Sequence, residues 1–143
     1  MNRKILYELK NLDCEIISRM NKQSMPLGLT QVKIIEYLIK NEHTYQKDLE
    51  KNLKLSRATI SCVLKTMEKN KLIERCSNES DARSKEVKLN EKLKTKLEEN
   101  IKEIGILEQN ITKGIDKEDL EIFLKVLNKM NENIRSDKND KIN

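Results

Sequence analysis

The chain is poor in the residues on which strand-rich folds and most enzyme sites depend. Its 143 residues include no tryptophan, one proline and three glycines, and aromatic residues make up only 3%. Strands favour aromatic side chains and tight hairpins favour proline and glycine, so their scarcity indicates a mainly helical protein. Because His43 is the only histidine, the sequence offers no catalytic triad and no metal cluster, and we expect neither enzymatic activity nor a cofactor.

Cysteines and long apolar runs are also missing where special chemistry would need them. Cys14, Cys62 and Cys76 form no CxxC pair, and an odd number of cysteines argues against a disulfide framework. No apolar run approaches the ~20 residues that span a bilayer, and MNRKILYELK has the pattern of an amphipathic helix instead of a signal peptide. We therefore expect no metal site, no membrane contact and a cytoplasmic protein.

Charge, in contrast, is abundant and unevenly placed. Charged residues make up 37% of the chain, and the net charge is +5. Residues 44–89 contain eleven Lys or Arg and seven Asp or Glu, so this segment carries +4 of that net charge. A basic balance of this kind is consistent with a polyanionic partner such as nucleic acid.

Helical spacing of apolar residues predicts four helices in the first half of the chain. The first covers residues 3–21, and the second begins at Thr30, as its N-cap, and ends near Asn41. A short third helix covers Tyr45–Leu53. Ser56 is a good N-cap for the fourth helix, whose predicted inward face consists of Ile60, Val63, Leu64 and Met67.

The fourth helix is followed by two short segments with strand character. KLIERCS and SKEVKL alternate apolar and charged residues on either side of the loop NESDARS, which predicts a two-stranded wing. Helix, turn, helix and wing in this order predict a protein that reads duplex DNA, because the major groove admits a helix and a basic loop reaches the minor groove. Small and basic residues on the outward face of the fourth helix suit such a groove: Ala58, Ser61, Cys62, Lys65 and Lys69.

Two further amphipathic helices follow the predicted wing. Asn90 is placed to cap the first of them, Gly105 and Gly114 to bend or end it, and the acidic turn at residues 116–119 to begin the second. The apolar stripes of the terminal helices need more burial than one small chain provides, so we expect a homodimer. The predicted organisation is an N-terminal dimerisation helix with its connection (1–28), a winged helix-turn-helix DNA-binding domain (29–89), C-terminal dimerisation helices (90–135) and a flexible tail (136–143).

Three motifs together resemble the MarR family of bacterial transcription regulators. They are LGLTQVKIIEYL, QKDLEKNLKLSRATISCVLKTMEKNKLIER and the DAR of the loop followed by VKLNEK, and the resemblance covers about residues 27–97. It implies a mainly α fold with a two- or three-stranded β-wing, and a dimer interlocked through the first, fifth and sixth helices. It also implies a pseudopalindromic operator in double-stranded DNA, and a repressor that a small-molecule effector or another signal releases.

The same resemblance assigns roles to single residues. Arg83 matches the wing arginine that enters the minor groove, and Asp81 matches the acid that orients it. Lys71 stands where relatives often have glycine, so the turn before the wing is expected to find its geometry at Asn70 or by a different connection. With the basic residues of the wing strands included, the predicted DNA-contacting residues are Ser56, Arg57, Thr59, Ser61, Lys65, Arg75, Asp81, Arg83 and Lys85.

Two other interpretations stay open from the sequence. In one, the winged helix docks another protein instead of DNA. In the other, the chain is a thiol-based redox-sensing regulator, because Cys62 faces the predicted DNA side and its oxidation would add bulk or charge there. Cys14 lacks the tyrosines expected beside a sensing thiolate, which favours an inert thiol.

Overall fold

A computed structural model describes residues 3–23, 25–76 and 84–140. Its described residues form six α-helices and three short strands, which confirms the prediction of a mainly α protein with a small β-wing. In chain order these elements are α1 (Lys4–Asn21), α2 (Leu29–Lys40), β1 (Thr44–Tyr45), α3 (Gln46–Asn52), α4 (Arg57–Lys69), β2 (Ile73–Cys76), β3 (Glu86–Leu89), α5 (Lys94–Ile111) and α6 (Lys117–Asp140).

The strands form one antiparallel sheet in the order β1, β3, β2. The predicted hairpin is the pair β2–β3, with Ile73 opposite Leu89 and Cys76 opposite Glu86. The two-residue strand β1 adds to the other edge of β3, with Thr44 opposite Val87. Residues 77–83, which include most of the predicted loop, lie outside the described residues.

The core lies between α2, α3, α4, the sheet and the start of α5. Apolar residues at helical spacing in α4 turn one face inward, and most of them are fully buried, as the sequence predicted. Val63 is half-buried at the edge of that face. The central buried side chains are Ile34 and Ile35 of α2, Leu49 of α3, Ile60, Leu64 and Met67 of α4, Val87 of β3 and Leu97 of α5.

The ends of the helices follow the predicted caps at some positions and depart from them at others. Ser56 caps α4 as predicted, because its hydroxyl oxygen accepts a hydrogen bond from the Thr59 N–H at 3.1 Å. The prediction of Thr30 as the N-cap of α2 is wrong. Gly28 holds that position in an extended conformation, and its carbonyl accepts the first helical bond from the Val32 N–H. Thr30 therefore lies inside the first turn.

Lys71 makes the turn between α4 and β2, although from the sequence the turn was expected at Asn70 or by a different connection. Lys71 itself adopts the left-handed conformation, with φ of 61°. The Lys71 N–H donates a hydrogen bond to the Glu68 carbonyl, and the Leu72 N–H donates one to the Met67 carbonyl. This pair of hydrogen bonds is typical of a helix C-terminus, where glycine usually occupies the position of Lys71. Asn70 stays at negative φ, so it does not supply the turn.

The chain divides into two compact units, Met1–Gly105 and Ile106–Asn143. The first contains the winged helix and α1, and the second contains the end of α5 and all of α6. In the second, Gly114 has a φ of 79° and α6 begins at Lys117 with an acidic first turn, as predicted. The helix continues to Asp140, so the first five residues of the predicted flexible tail are helical. Within the three described ranges, no helix is both long and apolar enough to cross a membrane.

Candidate nucleic-acid interface

The outward face of α4 is a convex, exposed surface of small and basic side chains. Ile60, Leu64 and Met67 are completely buried on the opposite face, which fixes the rotation of the helix about its axis. At about 100° per residue, this rotation places Ala58, Cys62, Lys65 and Lys69 at the middle of the outward face and Arg57 and Thr59 at its borders. All six are exposed, and Ser61 beside them is half-buried.

The first turn of α4 offers hydrogen-bond donors toward this face. The Ser56 hydroxyl donates to Thr59 Oγ1 at 2.8 Å while it accepts from the Thr59 N–H. Thr59 is exposed, so its hydroxyl can reach a phosphate or a base edge. The helix dipole and the remaining backbone N–H groups of this turn also favour an anion.

Two further lysines lie in or next to the wing strands, beside the acidic residues Glu74 and Glu86. Lys88 of β3 is exposed, with its Nζ 3.9 Å from Glu86 Oε2. Lys85 is half-buried just before β3, and its carbonyl accepts a weak hydrogen bond from the Gln46 N–H at 3.4 Å. The predicted loop residues Asp81 and Arg83 lie outside the described residues, so their assigned roles stay predictions.

Arg75, one of the predicted DNA-contacting residues, is largely covered by the protein. Its side chain is only 9% exposed. The guanidinium binds Glu68 through two bonds, Nε to Oε2 at 3.1 Å and Nη2 to Oε1 at 3.3 Å, and Nη1 donates to Gln46 Oε1 at 3.4 Å. Arg75 was grouped with the DNA contacts by its charge, but its donors are directed at partners within the protein.

The electrostatics of Glu68 reflect this pairing. Hydrogen bonding from the Arg75 side chain is the largest effect on the Glu68 carboxyl and holds its pKa below the usual value of 4.5. Burial, the next effect, opposes this shift, and the charges of Arg75 and then Lys85 lower the pKa further. Sequence reasoning missed both Glu68 and Gln46. The only available signal was an acid seven residues before an arginine, and this spacing was uninformative because α4 ends at Lys69 and Arg75 lies in β2.

The three cysteines lie in three different elements, and all are exposed free thiols. Cys62 is at the middle of the α4 outward face, where the Thr66 hydroxyl donates to its backbone carbonyl at 3.3 Å. Cys14 lies in α1 and Cys76 at the end of β2. Across the described ranges, no three His, Cys, Asp or Glu residues are grouped in a way that could hold a metal ion.

Part of this chain matches a known protein family. Residues 27–85 match the model of the MarR family, whereas no curated protein matches the sequence. The structure is similar to the transcription regulator MarR from Oenococcus oeni, with 28% identity and a TM-score of 0.60 over 91% of this chain and 97% of that one.

Two other solved structures share the fold at lower identity. One is the heme sensor protein PefR from Streptococcus agalactiae in complex with heme, with 23% identity and a TM-score of 0.71 over 93% of this chain and 95% of that one. The other is described as a MarR family transcriptional regulator from Listeria monocytogenes complexed with 26mer DNA, with 24% identity and a TM-score of 0.59 over 96% and 90%. The chain therefore carries a domain at residues 27–85 that matches the MarR family, and it shares its fold with the transcription regulator MarR from Oenococcus oeni.

Proposed function

We propose that the protein is a sequence-specific, DNA-binding transcription regulator, and specifically a homodimeric repressor on a pseudopalindromic operator. The observation that carries the proposal is the outward face of α4, where small and basic side chains are exposed on a helix whose other face is locked into the core. A helix held in this way can enter the major groove as a rigid body.

Contacts on α4 divide by chemistry. Ala58, Ser61 and Cys62 are small enough to let the helix approach the base edges closely. Arg57 and Lys65 supply charge for phosphates or for a guanine edge, and Ser56 with Thr59 supplies neutral donors at the start of the helix. We therefore assign base reading to the middle of the outward face and orientation on the backbone to its first turn.

The wing is proposed to contact the neighbouring minor groove. Arg83 is the residue that would enter it, Asp81 would orient that arginine, and Lys85 would contact a phosphate. Arg75 is assigned a positioning role, because its guanidinium is engaged by Glu68 and Gln46.

Dimerisation is proposed through apolar faces that the described structure leaves exposed. Leu6 and Tyr7 of α1 are 66% and 60% exposed, and Ile122 and Ile134 of α6 are 60% and 64% exposed. A second copy of the chain would cover such faces, in line with dimerisation segments at residues 1–28 and 90–135. Two-fold symmetry would then present two recognition helices to half-sites about one DNA turn, ~34 Å, apart.

A signal is proposed to release the protein from its operator by changing the separation of the two recognition helices. The complex of PefR with heme supports a small molecule as one kind of signal. Oxidation of Cys62 is a second kind, favoured by the exposure of this thiol on the α4 outward face. In that case peroxide weakens operator binding of the wild type and leaves a Cys62→Ser variant unaffected; equal loss in both contradicts it.

The proposed function is tested by selecting bound fragments from a random DNA pool with the purified protein at near-physiological salt. We expect an enriched pseudopalindrome, and a binding constant that falls steeply as salt rises. Arg57→Ala and Lys65→Ala should each weaken binding about tenfold, while Lys125→Ala on α6 removes an equal charge outside the winged helix and should have little effect. No enrichment by a folded protein would contradict DNA reading and favour docking of a protein partner.

A further inference from the structure

Gln46, Glu68 and Arg75 join three elements of the winged helix, and we name them the Gln46–Glu68–Arg75 cluster. Gln46 is the first residue of α3, Glu68 lies in the last turn of α4, and Arg75 lies in the middle of β2. The arginine is the common member, because it donates to the carboxylate of one partner and to the amide oxygen of the other.

Burial and hydrogen bonds hold the side chains of the cluster in place. Gln46 is 1% exposed and Arg75 is 9% exposed, whereas Glu68 is 44% exposed. A charge that is nearly removed from water must be paired, and the planar guanidinium donates two hydrogen bonds to the carboxylate, which restricts their relative orientation. The direction of the Arg75 side chain is therefore set by Glu68 and Gln46 together, which fixes β2 relative to α3 and α4.

The cluster also reaches the second strand of the wing. Arg75 stands opposite Val87 in the pairing of β2 with β3. The Gln46 N–H donates to the carbonyl of Lys85, immediately before β3, and the positive charge of Lys85 contributes to the lowered pKa of Glu68. Both strands of the wing are thus tied to the end of the recognition helix and the start of the helix before it.

We infer that the Gln46–Glu68–Arg75 cluster sets the angle between the recognition helix and the wing, so that Glu68 and Arg75 are positioning residues for DNA reading and not DNA contacts. The inference rests on the proposed function. A helix in the major groove and a wing in the adjacent minor groove must engage together, and a small error in their angle costs the contacts of one of them. The cluster therefore contributes to the discrimination between operator and random DNA.

The two possible roles of Arg75, positioning the wing or binding a phosphate, predict opposite changes in operator affinity when the charge of Glu68 is removed. If Arg75 bound phosphate, the negative charge of Glu68 would compete with DNA, and its removal would strengthen binding. If the pair positions the wing, removal of that charge weakens operator binding although the protein becomes more basic. Glu121→Gln is the matched control, because Glu121 forms an exposed ion pair with Lys117 in α6.

The experiment uses the full-length protein and the operator fragment selected with the wild type. Operator and random-sequence affinities are measured at several salt concentrations for Glu68→Gln, Arg75→Ala, the exchanged pair E68R/R75E and Glu121→Gln. We expect Glu68→Gln and Arg75→Ala to weaken operator binding about tenfold with an unchanged salt slope and unchanged affinity for random DNA. The exchanged pair should recover most of the loss, because it restores the attraction between α4 and β2.

Three results would overturn the inference. The first is an operator affinity of Glu68→Gln that stays the same or rises as in Glu121→Gln. The second is a salt slope for Arg75→Ala that falls by about one, which is the mark of a lost phosphate contact. The third is a loss that matches the unfolded fraction measured by circular dichroism. If Arg75→Ala does not fold, Glu68→Gln, which keeps the size of the side chain, decides alone.

Failure of the proposed function is recognised separately, at the selection step. A wild type that enriches no DNA contradicts the function before any variant is made. A wild type that enriches an operator, together with a Glu68→Gln variant that binds it equally well, contradicts only the positioning role.

Discussion

The two compact units of the chain use the same kind of helical pattern and reach opposite degrees of burial. In Met1–Gly105 the apolar faces of α2, α3 and α4 meet each other and the sheet, and side chains such as Ile34 and Leu64 are completely buried. In Ile106–Asn143 none of the described side chains is buried. Several large apolar residues there are more than half exposed, namely Ile106, Ile122, Leu124 and Ile134.

This difference shows that amphipathic spacing predicts which face of a helix is apolar but does not predict which element covers that face. In the first unit, α2, α3 and α4 surround the core and a sheet closes it, so the apolar faces of these three helices are covered. Helix α1 of the same unit resembles the second unit instead, because its Leu6 and Tyr7 stay exposed. The second unit consists of the end of one helix and one long helix, and these two segments leave all of their described apolar side chains at least partly exposed. We propose that a second copy supplies the missing layer, and the following predictions test each side of the comparison.

The largest effect is expected in the core of the first unit. Leu64→Ala removes a fully buried side chain and leaves a cavity, which should lower the free energy of unfolding by about 2–5 kcal/mol. Urea denaturation followed by circular dichroism measures it. Leu29→Ala, the same change at a side chain that is 54% exposed and lies outside the proposed dimerisation segments, should cost less than half as much. Equal losses would contradict the burial that distinguishes the core from the exposed apolar faces.

The next effect concerns the proposed dimer. Phe123→Glu places a charge on an exposed apolar face of α6, and we expect the dimer to dissociate about 100-fold more readily, since a charge buried without a partner is costly. Sedimentation equilibrium over a range of concentrations measures the dissociation constant, and Lys125→Ala in the same helix is the control. A monomeric wild type, or a variant that dimerises normally, would refute the assignment of this face.

A smaller and favourable effect is expected at the turn after α4. Lys71 has a φ of 61°, a conformation that glycine adopts without steric cost, so Lys71→Gly should stabilise the protein by about 0.5–1 kcal/mol. Asn70→Gly, one residue earlier at negative φ, should bring no gain. Thermal unfolding of the two variants compares them directly, and a destabilised Lys71→Gly would show that the lysine side chain matters more than the backbone.

The smallest effect is the pH dependence of the stability that the Glu68 carboxylate contributes to the folded protein. Its folded-state pKa is lowered chiefly by Arg75, so its contribution is present above the unfolded-state value near 4.5 and is lost as the pH falls through the lower folded value. Because Glu68 is half-exposed, solvent screening limits this contribution to less than about 1 kcal/mol. The stability difference between wild type and Glu68→Gln should shrink from pH 6 to pH 3; a constant difference would exclude an ionic origin.

The sequence predicted well where one local rule governs the structure. Ser56 was identified as the cap of α4 because a hydroxyl before a helical run satisfies a free N–H of the first turn. The wing strands were identified from alternation, and the start of α6 from its acidic turn. The same reasoning failed at Thr30, because the Gly28 carbonyl already accepts the first helical bond and the hydroxyl two residues later has no cap to make.

By itself the sequence determined the helices, their inward faces, the wing and the basic outward face of α4, since periodicity and local charge depend on neighbours along the chain. Only the tertiary structure revealed the hydrogen bonds among Gln46, Glu68 and Arg75. These residues come from three elements and meet because α3, α4 and β2 pack around one core. A basic residue in a sequence predicts a partner of opposite charge. The packing of the fold determines whether that partner is DNA or another side chain of the same protein.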